Sequence, residues 1–149
     1  MNDFDFLVGE WKVGHRRLKE RLAGSEEWDE FTGTSRCWRV FGGAANVDEI
    51  VAPERGLAGM SVRLYEPAER KWRIHWADAR TGRLDSGVIG RFTNGVGSFY
   101  GEDTHDGRSV TVRYLWSEMT GAPARWEQAF SADDGRTWET NWIMTFARR

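Results

Sequence analysis

Four polar residues in the N-terminal half, His15, Thr34, Arg36 and Glu49, carry the most chemistry in this sequence. An arginine can grip a carboxylate or enolate oxygen through two parallel hydrogen bonds. A histidine or glutamate tuned by its surroundings can move a proton near neutral pH. His15 and Glu49 are therefore the candidate catalytic pair, and Arg36 the candidate anion ligand. Metal chemistry fits less well. The three histidines, His15, His75 and His105, show no His-x-His or His-Glu-x-x-His spacing, so no metal site is expected. Cys37 is the sole cysteine, which rules out an internal disulfide and suits a reducing cytoplasm. Hairpin pairing sets it beside Asp48, whose charge raises a thiol pKa, so Cys37 reads as structural. No phosphate-cradling loop or dinucleotide fingerprint occurs, and no cofactor is expected.

A second resource is aromatic. Nine tryptophans in 149 residues is a strong excess, and indoles line cores and ligand surfaces. Trp38, Trp76, Trp116, Trp126 and Trp142, with Phe92 and Phe99, are candidates for a stacking wall. Tyr114, Gln128 and Thr140 are candidates to orient a bound molecule. Charge adds little. Twenty-one basic against twenty-three acidic residues leave a net −2, so nucleic acid is not an expected partner. No apolar run reaches the ~18 residues a membrane span needs, and the first residues do not read as a secretory leader.

These residues must be positioned by strands. Turn signals at Gly24-Ser25, Gly42-Gly43, Asn94-Gly95, Asp106-Gly107 and Asp134-Gly135 separate stretches of alternating apolar residues. That pattern predicts a meander of antiparallel hairpins, about ten strands in all, within one domain over 1–149. Each turn also predicts a register. Pairing across Gly24-Ser25 sets Trp11 opposite Trp38, Val13 opposite Arg36 and His15 opposite Thr34. Pairing across Gly42-Gly43 sets Trp38 opposite Val47 and Arg36 opposite Glu49. With Trp11 and Trp38 inward, the His15, Thr34, Arg36 and Glu49 cluster lies inside. A five-residue loop from Glu66 to Arg70 sets Met60 opposite Trp76, Val62 opposite Ile74 and Leu64 opposite Trp72, leaving Arg63 outside. A bulged Asp133-Asp134-Gly135 loop sets Phe130 opposite Trp138 and Trp126 opposite Trp142. A short helix over His15 to Leu22 is the weaker alternative to a first strand.

The run Phe4-Asp5-Phe6-Leu7-Val8-Gly9-Glu10-Trp11 resembles the start of a calycin barrel: a short helical turn, then Gly-x-Trp opening the first strand. Calycins include lipocalins, fatty-acid-binding proteins and nitrobindin-like proteins. Over most of its length the chain also resembles an uncharacterised bacterial calycin-like family, through Phe4 to Trp11, Gly97 to Asp103, Arg125 to Ser131 and Thr137 to Trp142. The resemblance implies an up-and-down barrel, with Arg148 packing over Trp11 as a late arginine does in lipocalins. It does not extend to haem binding. Val13 breaks the Gly-x-Trp-x-Gly-x-Gly run of nitrobindin-like proteins, and no histidine follows His105 to serve as an axial ligand.

The expected function is binding of a small, mostly apolar or aromatic molecule in the barrel. One alternative is a cofactor-independent isomerase, cyclase or lyase using His15, Arg36 and Glu49. Another is an interaction scaffold without a ligand, with a homodimer left open.

Overall fold

A computed structural model describes residues 2–117 and 124–149. Its strands are β1 (Gly9–Leu18), β2 (Trp28–Val40), β3 (Ala45–Ala52), β4 (Leu57–Glu66), β5 (Lys71–Asp78), β6 (Arg83–Leu84), β7 (Val88–Thr93), β8 (Val96–His105), β9 (Arg108–Ser117), β10 (Ala124–Ser131) and β11 (Glu139–Arg148). Ten of them form a closed antiparallel up-and-down barrel in chain order, and β11 returns to pair with β1. The two-residue β6 is a spur on β5. Closure leaves the barrel strands no free edge. The helical alternative for His15 to Leu22 is not found, since β1 runs through Leu18. Among the described residues, no helix is long and apolar enough to cross a membrane.

The tightest turns deliver the expected registers. Asn94-Gly95 and Asp106-Gly107 both have positive φ at their two central residues, the geometry that matches strand twist in a two-residue hairpin. They pair Phe92 with Gly97, Gly90 with Phe99, Phe99 with Tyr114 and Tyr100 with Arg113, the registers that two-residue loops at these positions dictate. Across Gly42-Gly43, Trp38 meets Val47 and Arg36 meets Glu49, also as predicted.

Three registers differ. In β1–β2, Trp11 lies opposite Ser35, Val13 opposite Gly33 and His15 opposite Phe31. The shift is odd, so every β2 and β3 side chain changes face. In β4–β5, Ser61 meets Trp76, Arg63 meets Ile74 and Tyr65 meets Trp72, because the connection is one residue shorter than expected. Met60 and Leu64 therefore stand outside, 40% and 41% exposed, while Arg63 points in at 3%. In β10–β11, Trp126 meets Met144 and Gln128 meets Trp142. A bulge after Gln128 then sets Phe130 opposite Glu139. Trp138 precedes β11 and packs outside, under the Arg113 guanidinium at 4.5 Å.

One end of the barrel is plugged from the N-terminus. A 3-10 turn at Asp5–Leu7 follows Phe4, which is 1% exposed. The Phe4 ring meets Trp72 and Phe92 edge to face at 4.9 Å each and approaches Phe99 at 5.8 Å. Trp11 secures the turn by donating from Nε1 to the Leu7 carbonyl at 2.6 Å. Arg148, opposite Trp11 in the ladder, covers that indole at 3.9 Å and donates to the Val8 carbonyl at 2.7 Å. This is the contact implied by the calycin resemblance. Gly90 lies here because a Cβ would strike the Ser98 carbonyl of the adjacent strand. Its role is close backbone approach, and it does not border the internal cavity.

Candidate functional site

Between the plug and the loops at the other end lies a cavity of about 170 Å³. Trp76, Trp116, Trp126 and Trp142 border it, together with Tyr114 and Gln128. Alternation along β5, β9, β10 and β11 brings these rings inside. They fix one another edge to face: Trp126 on Trp142 at 5.6 Å, Trp76 on Trp142 at 6.3 Å, Tyr114 on Trp126 at 5.1 Å. Such contacts hold aromatic walls in defined orientations. Burial, then the Asp85 and Asp103 charges, push the Tyr114 phenol pKa upward, so it remains a neutral hydroxyl. Gln128 is anchored by donating from Nε2 to Asn141 Oδ1 at 2.8 Å.

The floor of the cavity is charged but balanced. Arg63 donates to Asp48 Oδ2 at 2.6 Å and to Asn46 Oδ1 at 2.7 Å. Asp48 also accepts from the Ser61 backbone N–H at 3.0 Å. The Arg63 guanidinium lies 5.1 Å from the Phe4 ring centroid and 5.8 Å from that of Trp116. Its Nε–H is buried without a partner among the described residues. Cys37 joins the network by donating from Sγ to Asn46 Oδ1 at 3.1 Å. Burial above all pushes its thiol up to about 11, in keeping with a structural cysteine.

His15 backs the wall and does not border the cavity. It is 2% exposed, stacks on Phe31 at 4.5 Å and accepts a hydrogen bond at Nδ1 from Trp142 Nε1 at 3.1 Å. That bond requires the Nε2–H tautomer, and Nε2 has no partner among the described residues. Burial, with a smaller contribution from Arg17, lowers its pKa from 6.5 to about 4. Because the unfolded chain binds this proton more readily, stability is full above pH 6.5 and falls as pH drops through 4. The expected loss is roughly 3 kcal/mol between pH 7 and pH 4. Urea unfolding of wild type and His15→Leu at both pH values reads it as a difference in slope. Equal pH dependence in the two proteins contradicts a buried neutral His15.

The sequence-predicted residues divide by face. Trp76, Tyr114, Trp116, Trp126, Gln128 and Trp142 come together at the cavity. Phe92 and Phe99 instead surround the Phe4 plug, and Thr140 sits at the β11 bulge, away from the cavity. Trp38 stands outside, 45% exposed. Arg36 and Glu49 are also outside, with side chains 62% and 56% exposed and 4.0 Å apart. Thr34 shares their face. The expected internal cluster is thus corrected: of its four members only His15 lies within, and the barrel wall separates it from Glu49. The internal polar cluster on β3 and β4 is instead Asn46, Asp48, Ser61 and Arg63. Their signal was the complementary pairing of Asn46 with Arg63 and Asp48 with Ser61 across β3 and β4.

At the end opposite the plug, the Lys19–Glu27 connection, whose ends are joined by a backbone hydrogen bond, brings Arg21 to the cavity rim. Beyond Arg21 the surface opens into a depression edged by Arg17, Arg55 and Arg80. Arg17 and Arg21 were not singled out from the sequence. No group of three or more His, Cys, Asp or Glu residues arranged to hold a metal ion occurs among the described residues. No protein-family model matches the chain, and no curated protein matches it.

Proposed function

We propose that this barrel binds one small, mostly apolar or aromatic molecule in its central cavity, as the calycins it resembles bind theirs. The observation that carries the proposal is an unfilled volume of about 170 Å³ bordered by four indoles. A cavity of about 150 Å³ is large enough to take up benzene, so one ring fits. The residues proposed to contact it are Trp76, Trp116, Trp126 and Trp142, with Tyr114 and Gln128 supplying polar contacts. A pocket that is mostly apolar with few convergent polar groups is the usual form of a small-ligand site.

The test is titration with neutral one-ring compounds, benzyl alcohol and phenylacetamide, followed by tryptophan emission. Saturable binding is expected at about 10 μM to 1 mM, the range for ligands of this size. Trp126→Leu should weaken it at least severalfold. No saturable change with either compound, or wild-type affinity in Trp126→Leu, contradicts the proposal.

A further inference from the structure

The acid-base balance at the open end points to a narrower ligand class, resting on the cavity proposed above. Arg17 is the last inward position of β1, and Arg21 follows one turn of chain later. Both guanidiniums lie against the same indole: Arg17 is 5.3 Å and Arg21 6.0 Å from the Trp142 ring centroid. Arg17 also covers Phe31 at 5.0 Å, and Arg21 covers Phe130 at 5.5 Å. Both residues are only partly exposed. Among the described residues, neither guanidinium has a hydrogen bond or an ion pair.

The carboxylates that favour the charged forms, Asp29 and Asp78 for Arg17 and Glu139 for Arg21, are hydrogen-bonded elsewhere. Asp29 takes two hydrogen bonds from Arg55, each 2.7 Å. Asp78 takes two from the Arg80 guanidinium, at 3.2 and 3.3 Å. Glu139 accepts from the Leu22 N–H at 2.7 Å. The cavity's own acids, Asp85, Glu102 and Asp103, border it from β8 and the connection before β7, and Glu102 and Asp103 are exposed to water. Half-buried charge without a directly bonded counter-charge is costly, and stacking on rings offsets only part of that cost. Burial, followed by the Arg17 charge, weakens protonated Arg21, so the two cations oppose each other.

We propose that Arg17 and Arg21 form the acid-group site of the cavity, and that its ligand is a one-ring aromatic carboxylate. The ring lies among the indoles, and the carboxylate lies at the rim against the two guanidiniums. Arg21 supplies the continuity, because it borders both the cavity and the outer depression.

The experiment compares phenylacetate with phenylacetamide, which share the ring and its spacer and differ in a charged carboxylate against a neutral amide. Wild type should bind the acid about tenfold or more tightly, the worth of a charge-assisted hydrogen bond. Raising NaCl from 50 to 500 mM should erode that preference and leave amide binding unchanged. In Arg17→Met/Arg21→Met, which keeps an apolar stem over Trp142, the preference should vanish and the amide affinity should hold within about twofold. Equal wild-type affinity for acid and amide, or a salt-insensitive preference, overturns this inference and leaves the cavity proposal standing. So does a preference retained in the double variant. Binding of neither compound overturns this inference, and the cavity proposal falls with it if benzyl alcohol also fails to bind.

Discussion

Replacing Asp48 with alanine is expected to lower the unfolding free energy by about 3–5 kcal/mol. The side chains of Asp48 and Arg63 are each 3% exposed and meet at 2.6 Å. Removing the carboxylate strands a guanidinium between Phe4 and Trp116 and also frees the Ser61 N–H. The loss comes from the orphaned charge, not from any large net gain of the ion pair. The double variant Asp48→Leu/Arg63→Met should therefore recover most of the stability, since a buried pair exchanged for apolar side chains is often near neutral. Urea denaturation of the three proteins reads both effects. A loss below about 1 kcal/mol for Asp48→Ala contradicts the inward placement of Arg63.

Phe4→Ala should cost about 3–5 kcal/mol, the usual range for deleting a fully buried ring. Phe4 lies outside the barrel strands, yet its ring meets Trp72, Phe92 and Phe99 and carries the Arg63 guanidinium. The plug would be emptied and the floor of the cavity loosened together. For a chain of this length the melting temperature should fall by roughly 10 °C. A fall of only one or two degrees would mean that the N-terminal turn does not close the barrel.

The ease of reading this sequence varied with the length of its turns. Where two residues of positive φ join strands, at Asn94-Gly95 and Asp106-Gly107, the register follows from the turn and the facing rings follow from the register. The connection from Lys19 to Glu27 imposes no such constraint, and a three-residue displacement there put Arg36 and Glu49 on the wrong side. In β4, alternation itself misled. Met60, Val62 and Leu64 are the apolar set, but they face outward beside Val47 and Trp38. Arg63 faces inward because Asn46 and Asp48 wait across the ladder to receive it. An apolar-in rule fails wherever a paired polar network occupies the core. Most of the indole wall survived because the displacement of two that sets Trp126 opposite Met144 keeps both strands' side chains on their faces up to the bulge after Gln128. The rim arginines escaped notice because nothing in a sequence distinguishes an arginine with a carboxylate partner from one without.

The central claim is an accessible, ring-sized space among Trp76, Trp116, Trp126 and Trp142. Anomalous diffraction from crystals soaked with 4-bromophenol tests it most directly, since the bromine marks where the ring goes. The expected result is a bromine peak inside the barrel, among those indoles. An interior filled by the protein's own side chains, with bromine only on the outer face near Trp38 and Met60, would contradict it.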